Sequence, residues 1–263
     1  MTLGFTYFIL LMNPFLAINM AMSVDGKVAT PNRTVTSFGS PRDLAHLYEL
    51  RATADAIVCG SRTVEETSAT LGNGGDAYLK MRQKAGLASY PVRVVVSGAG
   101  TLASNIPLWK AHPSPVVVLT SSRIPSIQCE RLRSLAESVW VSPSEEIDFS
   151  AAFSWLAASY RVQRIMVEGG PTLNDALFRA DLVDELHLTI CPRLVGGWSS
   201  PTIVDGIGQS HLAYASNLRL TRRRSCRGEI FLVYARHPKA TADALPRHPS
   251  RFPDPPHGLA AVR

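Results

Sequence analysis

The sequence has 263 residues, of which 46% are hydrophobic and 18% charged, a composition typical of a globular protein with a sizeable core. The formal net charge is +6, but the basic clusters carry no interleaved aromatic residues, which argues against nucleic-acid binding. The four cysteines are scattered without a C-x-x-C pair, which argues against a metal site or a disulfide framework and favours a reducing compartment, the cytoplasm.

The first residues are predicted to precede the folded domain. No Lys or Arg precedes the apolar stretch 5–12, unlike in a signal peptide, and Asn13-Pro14 interrupts the apolar run, which argues against a membrane span. We therefore expect residues 1–11 to be an extension and the first strand to occupy 15–22. That strand leads to Asp25-Gly26, a dipeptide typical of tight turns.

Apolar strand patterns then alternate with helical patterns. Ser40 and Pro41 form a typical helix start, which predicts a helix over 41–52, and further helices are predicted over 149–160 and 171–180. This alternation predicts an α/β fold with a mostly parallel sheet and helices on both faces. The remaining predicted strands lie at 56–59, 92–97, 116–120, 139–141, 164–168, 185–190, 218–223 and 230–235. The last two have no helix between them and predict an antiparallel edge.

One glycine-led turn follows the second strand. The strand breaks at Gly60, and Thr63 with Glu66 has the spacing of a capping box that starts a helix. The segment 67–88 that follows is predicted to be a long loop near the pocket, with room for a short helix at 78–84.

A second glycine-led turn follows the strand over 164–168. Gly169 and Gly170 let the backbone approach a ligand without a Cβ in the way, and Pro171 suits the first helical position. The N–H groups and dipole of the helix then favour an anion such as phosphate. Glu168 places a carboxylate beside the same pocket.

No break in composition occurs before residue 236, so we expect a single domain over 12–236. Residues 237–263 are rich in Pro, His, Arg and Ala without apolar periodicity, and we expect this tail to be disordered. The sequence contains no G-x-S-x-G, H-E-x-x-H or Walker motif and no cytidine-deaminase signature.

Five motifs occur in the order found in a known family. Together they resemble the reductase domain of riboflavin biosynthesis, a relative of dihydrofolate reductase, over roughly residues 13–235. The resemblance implies a dihydrofolate-reductase-like fold, NADPH as cofactor, a homodimer, and reduction of a ribosylaminouracil phosphate. The motifs are Met22-Ser23-Val24-Asp25-Gly26-Lys27, the stretch 54–63, Val167-Glu168-Gly169-Gly170-Pro171-Thr172-Leu173, the stretch 181–186 and Pro192-Arg193-Leu194-Val195-Gly196-Gly197.

The resemblance also implies which residues contact NADPH. Ala21 is expected against the nicotinamide and Ser97 with Gly98 on the ribose side, while Gly60 belongs to the first glycine turn. Arg62 is our own candidate for the 2′-phosphate, because a guanidinium suits a dianion, although a solvated helix-start role stays open. The other implied cofactor residues are Thr63, Gly169, Gly170, Pro171, Thr172 and Leu173.

For the substrate, the resemblance implies Arg51, Leu71 and Glu168, and the carboxylate of Glu168 could accept ring N–H groups. Asp25 and Glu168 are the candidate catalytic residues, with a turn role as the alternative for Asp25. The chain departs from the family where a leading acid and a phosphate-binding Arg are expected.

At those positions this sequence has Thr67 and Gly74, so the phosphate contact of the family is missing. A related reductase with another substrate and a non-catalytic nucleotide-binding relative therefore stay open as alternatives.

Overall fold

The structure, a computed structural model, describes residues 13–33 and 39–236. The extension predicted for 1–11 and the tail predicted for 237–263 lie outside the described residues. The strands are β1 (Phe15–Ser23), β2 (Ala56–Gly60), β3 (Val92–Val96), β4 (Val116–Thr120), β5 (Ser138–Val141), β6 (Arg164–Val167), β7 (Glu185–Cys191), β8 (Leu218–Cys226) and β9 (Glu229–Arg236). The α-helices are α1 (Pro41–Arg51), α2 (Ser61–Thr67), α3 (Asp76–Lys84), α4 (Ser126–Arg133), α5 (Phe149–Tyr160) and α6 (Pro171–Arg179).

All nine strands join one sheet in the order β5-β4-β3-β2-β6-β1-β7-β9-β8. The pairs from β5 to β7 are parallel, whereas β9 is antiparallel to both β7 and β8. The predicted fold class, a mostly parallel sheet with an antiparallel edge, is therefore confirmed. Because β2 and β6 are neighbours, the two glycine-led turns that follow them lie side by side.

Helices cover both faces of the sheet, as the alternation of strands and helices predicts. On one face, Phe153 of α5 and Leu177 of α6 are buried against Ile18 and Val58. The other face is covered by α1, α2 and α4. Full burial of one such side chain contributes roughly 1.5–3 kcal/mol to folding, so the two layers fix the sheet and with it the strand ends.

Two local predictions differ from the structure. Helix α4 was not predicted, because Pro125 precedes it without a side-chain cap and just two of its residues, Cys129 and Leu132, are buried. The capping box at Thr63 is wrong: Gly60 is the N-cap of α2, and Thr63 lies inside the helix. The strand runs directly into the helix here, so Thr63 has no terminal N–H group to cap.

The loop predicted for residues 67–88 contains α3, which covers the short helix considered at 78–84. The predicted start of α1 is confirmed, since the Ser40 hydroxyl accepts a hydrogen bond from the Arg42 N–H at 3.1 Å. Glu229 anchors this start from β9, accepting hydrogen bonds from the Ser40 N–H and hydroxyl at 2.6 and 2.7 Å. Helix α1 is thereby fixed to the antiparallel edge of the sheet.

Candidate active site

An open cleft of about 1320 Å³ lies where the parallel strands end. Ligands of open α/β sheets bind at the carboxyl ends of the strands, because loops and helix N-termini converge there. The ends of β2, β3 and β4, the α6 start and one side of α1 line the cleft. Of the predicted site residues it is lined by Ala21, Arg51, Gly60, Arg62, Thr63, Ser97, Gly98, Glu168, Gly170, Pro171, Thr172 and Leu173.

The two glycine turns touch each other in the middle of the cleft. The Gly60 N–H donates to the Gly169 carbonyl at 2.8 Å. A Cβ added to Gly60 would lie 3.3 Å from the Gly170 nitrogen, and one added to Gly170 would lie 2.8 Å from Thr63 Oγ1. Gly169 has a φ of +81°, a conformation that side chains other than glycine rarely adopt. Bare backbone is therefore required on both sides of this contact.

Both helices that leave these turns start without a side-chain cap. Gly170 is the N-cap of α6, with Pro171 in its first turn, and Gly60 is the N-cap of α2. The N–H groups of the first turns consequently have no side-chain acceptor, and the α6 dipole adds positive potential at its N-terminus. This backbone cradle fits a diphosphate group in shape and in charge.

The loops after β3 and β4 form one end of the cleft. The Ser121 hydroxyl donates to the Gly98 carbonyl at 2.8 Å, which ties the two loops together. The exposed Arg123 lines this end and reaches over Gly98, where an added Cβ would lie 3.7 Å from its Nη2. Sequence reasoning missed Arg123, although it is the basic residue of the turn that directly follows β4.

Arg51 and Glu168 form a nearly buried ion pair at the side of the cleft. Arg51 Nε and Nη2 each donate to one Glu168 carboxylate oxygen at 2.6 Å, and Nη1 donates to the Gly72 carbonyl at 2.8 Å. Their side chains are 8% and 11% exposed. Such paired hydrogen bonds between planar groups are the strong form of ion pairing, so each residue fixes the orientation of the other.

Cys59 lies beneath this ion pair, and burial raises the pKa of its thiol. Its sulfur lies 3.9 Å from the Glu168 carbonyl oxygen. A buried thiol with a raised pKa is a poor nucleophile.

Three predicted site residues do not line the cleft. Gly169 is part of the second glycine turn, but it does not line the cleft itself. Leu71 is 0% exposed in a core cluster with Ile57 and Val64, so we withdraw it as a substrate-binding residue. Its identity was taken from a loop motif, but the packing of the loop turns the side chain into the core.

Asp25 also lies outside the cleft, and its carboxylate is engaged in the turn after β1. It accepts hydrogen bonds from the Ser23 hydroxyl at 2.6 Å, the Val195 N–H at 3.1 Å and the Gly196 N–H at 2.7 Å. The Ser23 hydroxyl, followed by these N–H groups, lowers the pKa of Asp25 to about 2. This geometry favours the turn role over a catalytic one.

The departure from the expected loop pattern has a structural counterpart at Gly74. A Cβ on Gly74 would lie 2.2 Å from Cδ1 of Tyr48, and its φ is +88°. The Tyr48 ring packs against Tyr78 with centroids 5.3 Å apart, and the Arg51 guanidinium lies 5.3 Å above the Tyr48 ring. Aromatic rings therefore occupy the space that a side chain at position 74 would need.

An open cleft at the carboxyl ends of a parallel sheet, bordered by two glycine turns and two uncapped helix starts, is typical of α/β proteins that bind a ligand there. The model of the RibD C-terminal domain matches residues 14–232, and the chain belongs to this family.

Relatives of the chain carry consistent names. The 2,5-diamino-6-ribosylamino-4(3H)-pyrimidinone 5′-phosphate reductase of Methanothermobacter thermautotrophicus is 32% identical over 226 residues, which cover 85% of this chain and 98% of the relative. The reductase of the same name from Archaeoglobus fulgidus is 33% identical over 196 residues, covering 74% and 88%. A pyrimidine reductase-like protein from Corynebacterium diphtheriae shares the fold, with a TM-score of 0.74, 24% identity and coverage of 85% and 92%.

Within residues 13–33 and 39–236, no helix is long and apolar enough to cross a membrane. In the same residues, no cluster of three or more His, Cys, Asp and Glu side chains could hold a metal ion.

Proposed function

We propose that the chain is an NADPH-dependent reductase of the riboflavin pathway that acts on a ribosylaminopyrimidine phosphate. The relatives named above act, by their names, on such a phosphate, and they cover most of this chain. The observation that carries the proposal is the glycine cradle, in which Gly60 and Gly170 leave bare backbone between two uncapped helix starts. A diphosphate bound there would use the N–H groups that the glycines leave uncovered.

The residues of the cleft fit this cofactor. The cradle and the Thr63 hydroxyl would hold the diphosphate, while Thr172 and Leu173 would support it from α6. Ala21 has a small side chain on the cleft floor, which leaves room for a flat nicotinamide ring. When bound, NADPH supplies the hydride, and the chain contributes binding, orientation and exclusion of water.

The choice of NADPH over NADH rests on a cation near the 2′-phosphate. Arg62 lies in the first turn of α2, close to Gly60, so it would lie near a diphosphate bound to the cradle. Arg123 lies over Gly98, at the end where Ser97 and Gly98 are expected to contact the ribose. Arg123 is therefore the better candidate for the 2′-phosphate, and Arg62 for the diphosphate.

Arg51 and Glu168 would form the substrate wall. Their ion pair leaves the carboxylate fixed beside the glycine turn, where its remaining lone pairs can accept ring N–H or amino groups of a pyrimidine. Asp25 would act from a distance, by holding the 195–196 loop against the end of β1.

A second candidate function keeps the cofactor and changes the substrate. The rings of Tyr48 and Tyr78 beside Gly74 favour it, because the loop has no guanidinium at the position where the family pattern expects a phosphate contact. Under this alternative the substrate is a related heterocycle without the 5′-phosphate.

The decisive experiment is an NADPH-consumption assay with three compounds. They are the 2,5-diaminopyrimidinone ribosyl phosphate, its uracil counterpart, and the diaminopyrimidinone riboside without phosphate. Turnover of either phosphate supports the first proposal, and rescue of a riboflavin auxotroph would extend it to the cell. Preference for the riboside supports the second candidate, whereas NADPH binding without turnover of any compound would mark a non-catalytic relative.

We further propose that the protein works as a homodimer in the cytoplasm. Leu220 of β8 and Ile230 of β9 are 45% and 41% exposed and border the same shallow groove as Ile190 and Leu232. Arg223 and Arg224 of β8 line the same groove and oppose pairing along the strand edge by charge repulsion, so Leu220 and Ile230 are the contact that we propose for the partner copy.

A further inference from the structure

The proposed reaction needs one proton in addition to the hydride. To open the ribosyl ring, the C1′–O4′ bond breaks and its electron pair on O4′ takes up a proton. The lone pair of the exocyclic nitrogen then forms a C=N bond to C1′, which accepts the hydride and completes the reduction. Atoms and charge balance with one proton and one hydride, so the site requires an acid near the sugar. This inference rests on the proposed function.

Most acidic groups of the cleft are unsuited to this task. Both oxygens of Glu168 accept hydrogen bonds from Arg51, so this carboxylate is committed to the ion pair. The Cys59 thiol is fully buried beneath that pair. Among the other carboxylates of the cleft, Glu66, Glu145 and Glu146 are exposed, whereas Glu65 and Asp205 each accept a hydrogen bond from a backbone N–H group.

Asp43 is the cleft carboxyl with a different environment. It belongs to the first turn of α1 and packs so closely on Gly39 that an added Cβ there would lie 2.1 Å from its Oδ2. The Thr189 hydroxyl of β7 donates a hydrogen bond to it. Among the described residues, no lysine or arginine forms an ion pair with Asp43.

Strand register places Asp43 close to the floor of the cleft. Thr189 is the register partner of Ala21, which lines the cleft on the neighbouring strand β1. The carboxyl held by Thr189 is thus one strand away from Ala21, on the sheet face that α1 covers. Asp43 and the glycine turns therefore border the same cavity from different sides.

The surroundings of Asp43 raise the pKa of its carboxyl above the ordinary value. Burial raises the pKa of its carboxyl, and the nearby carboxylate of Glu229 on β9 raises it further. The Thr189 hydroxyl and His46 of α1 act in the opposite direction, and Cys191 of β7 is the remaining titratable neighbour.

We propose that Asp43 is the proton donor to the sugar ring oxygen, with Thr189 as the residue that positions its carboxyl group. Substrate in the cleft removes water from Asp43, and the carboxylate left after transfer regains its proton from solvent when product leaves. The alternative is that Asp43 merely stabilises the first turn of α1, as an acid at that position commonly does.

The pH dependence of kcat at saturating NADPH and pyrimidine substrate tests the assignment. Because the protonated form is active, kcat should fall as pH rises through the pKa of Asp43. Asp43→Asn should lower kcat by about a hundredfold or more and abolish this dependence, without a change in NADPH affinity. Asp76→Asn, an exposed first-turn acid of α3 outside the cleft, is the matched control and should keep the wild-type profile.

Thr189 supplies a second, independent readout. Thr189→Val removes a hydrogen bond that stabilises the carboxylate, so it should move the fall in kcat to higher pH, while Thr189→Ser should leave it in place. The ¹³C shift of the Asp43 carboxyl carbon, followed by NMR without substrate, should report the same movement.

Two results, each obtained with an active wild-type enzyme, would overturn the assignment alone. In the first, Asp43→Asn keeps the wild-type kcat and its pH dependence. In the second, Thr189→Val leaves the pH dependence of kcat where it is in the wild type. Absence of turnover by the wild-type chain with every ribosylaminopyrimidine would overturn the proposed function and the assignment together.

Discussion

Arg51 of α1 and Glu168, the residue after β6, hold each other by two hydrogen bonds of 2.6 Å at the wall of the cleft. Both were expected to contact substrate separately. Their pairing means that substrate meets one preformed unit, in which the guanidinium orients the carboxylate.

Breaking this pair should cost stability as well as activity. Glu168→Ala leaves a buried guanidinium without its partner, and we expect a loss of about 3–5 kcal/mol in the free energy of unfolding. The double variant Arg51→Met/Glu168→Leu should recover most of that loss, since no charge stays buried. If the pair orients substrate, the recovered protein should still be inactive while binding NADPH. An active double variant would show that the pair is purely structural. Urea denaturation measures the stability of each variant, and steady-state kinetics measure its activity.

Three glycines of the cleft, two in the cradle and Gly98 in the loop after β3, should differ in their tolerance of a Cβ. The added atom would lie 2.8 Å from its nearest neighbour at Gly170, 3.3 Å at Gly60 and 3.7 Å at Gly98. We expect NADPH affinity to fall most for Gly170→Ala, less for Gly60→Ala and least for Gly98→Ala, by calorimetry on folded variants. The reverse order would contradict a diphosphate seated on the two glycine turns.

Arg123 and Arg62 can be separated by cofactor choice. Arg123→Ala should weaken NADPH at least tenfold, about 1.4 kcal/mol, and leave NADH affinity nearly unchanged, because NADH lacks the 2′-phosphate. Arg62→Ala should weaken both cofactors alike. Titration of each variant with both cofactors provides the test. If Arg62→Ala weakens NADPH alone and Arg123→Ala weakens both cofactors, Arg62 is the 2′-phosphate residue instead.

The proposed dimer predicts a particle of twice the 28.6 kDa chain mass in light scattering. Leu220→Glu/Ile230→Glu places charges on the apolar hairpin face and should produce monomers with an unchanged fold. Ile127→Glu changes an exposed apolar side chain on α4 instead, and should leave the dimer intact. A wild-type monomer at micromolar concentration would refute the proposal.

The buried His187 and the partly buried His46 predict a loss of stability in acid. Burial lowers the pKa of His46 and His187 below their ordinary 6.5. Below that pH the unfolded chain binds protons that the native state does not, so the free energy of unfolding should decrease as pH falls from 7 to 5. His187→Gln should flatten this decrease in urea titrations, whereas His211→Gln, at an exposed position, should not. An equal slope in His187→Gln would assign the acid sensitivity elsewhere.

The sequence alone determined most helices and strands and the two glycine turns. Hydrophobic periodicity, helix caps and the positions of glycines are local properties that can be read without distant contacts. Strands such as β4 (116–120) and helices such as α5 (149–160) have the predicted bounds, since apolar period and turn residues specify them without distant contacts. Helix α4 was not predicted because it buries too few residues to show a helical hydrophobic periodicity.

Tertiary structure decided what each side chain faces. Leu71 faces the core because the surrounding loop packs it there. Asp25 holds the loop at residues 195–196, because its carboxylate accepts hydrogen bonds from their N–H groups. Two interactions join residues that are far apart in the chain: the ion pair of Arg51 with Glu168, and the hydrogen bond of Thr189 to Asp43. Such pairings depend on the sheet order β6-β1-β7 and on the seating of α1 above it, which no local pattern in the sequence records.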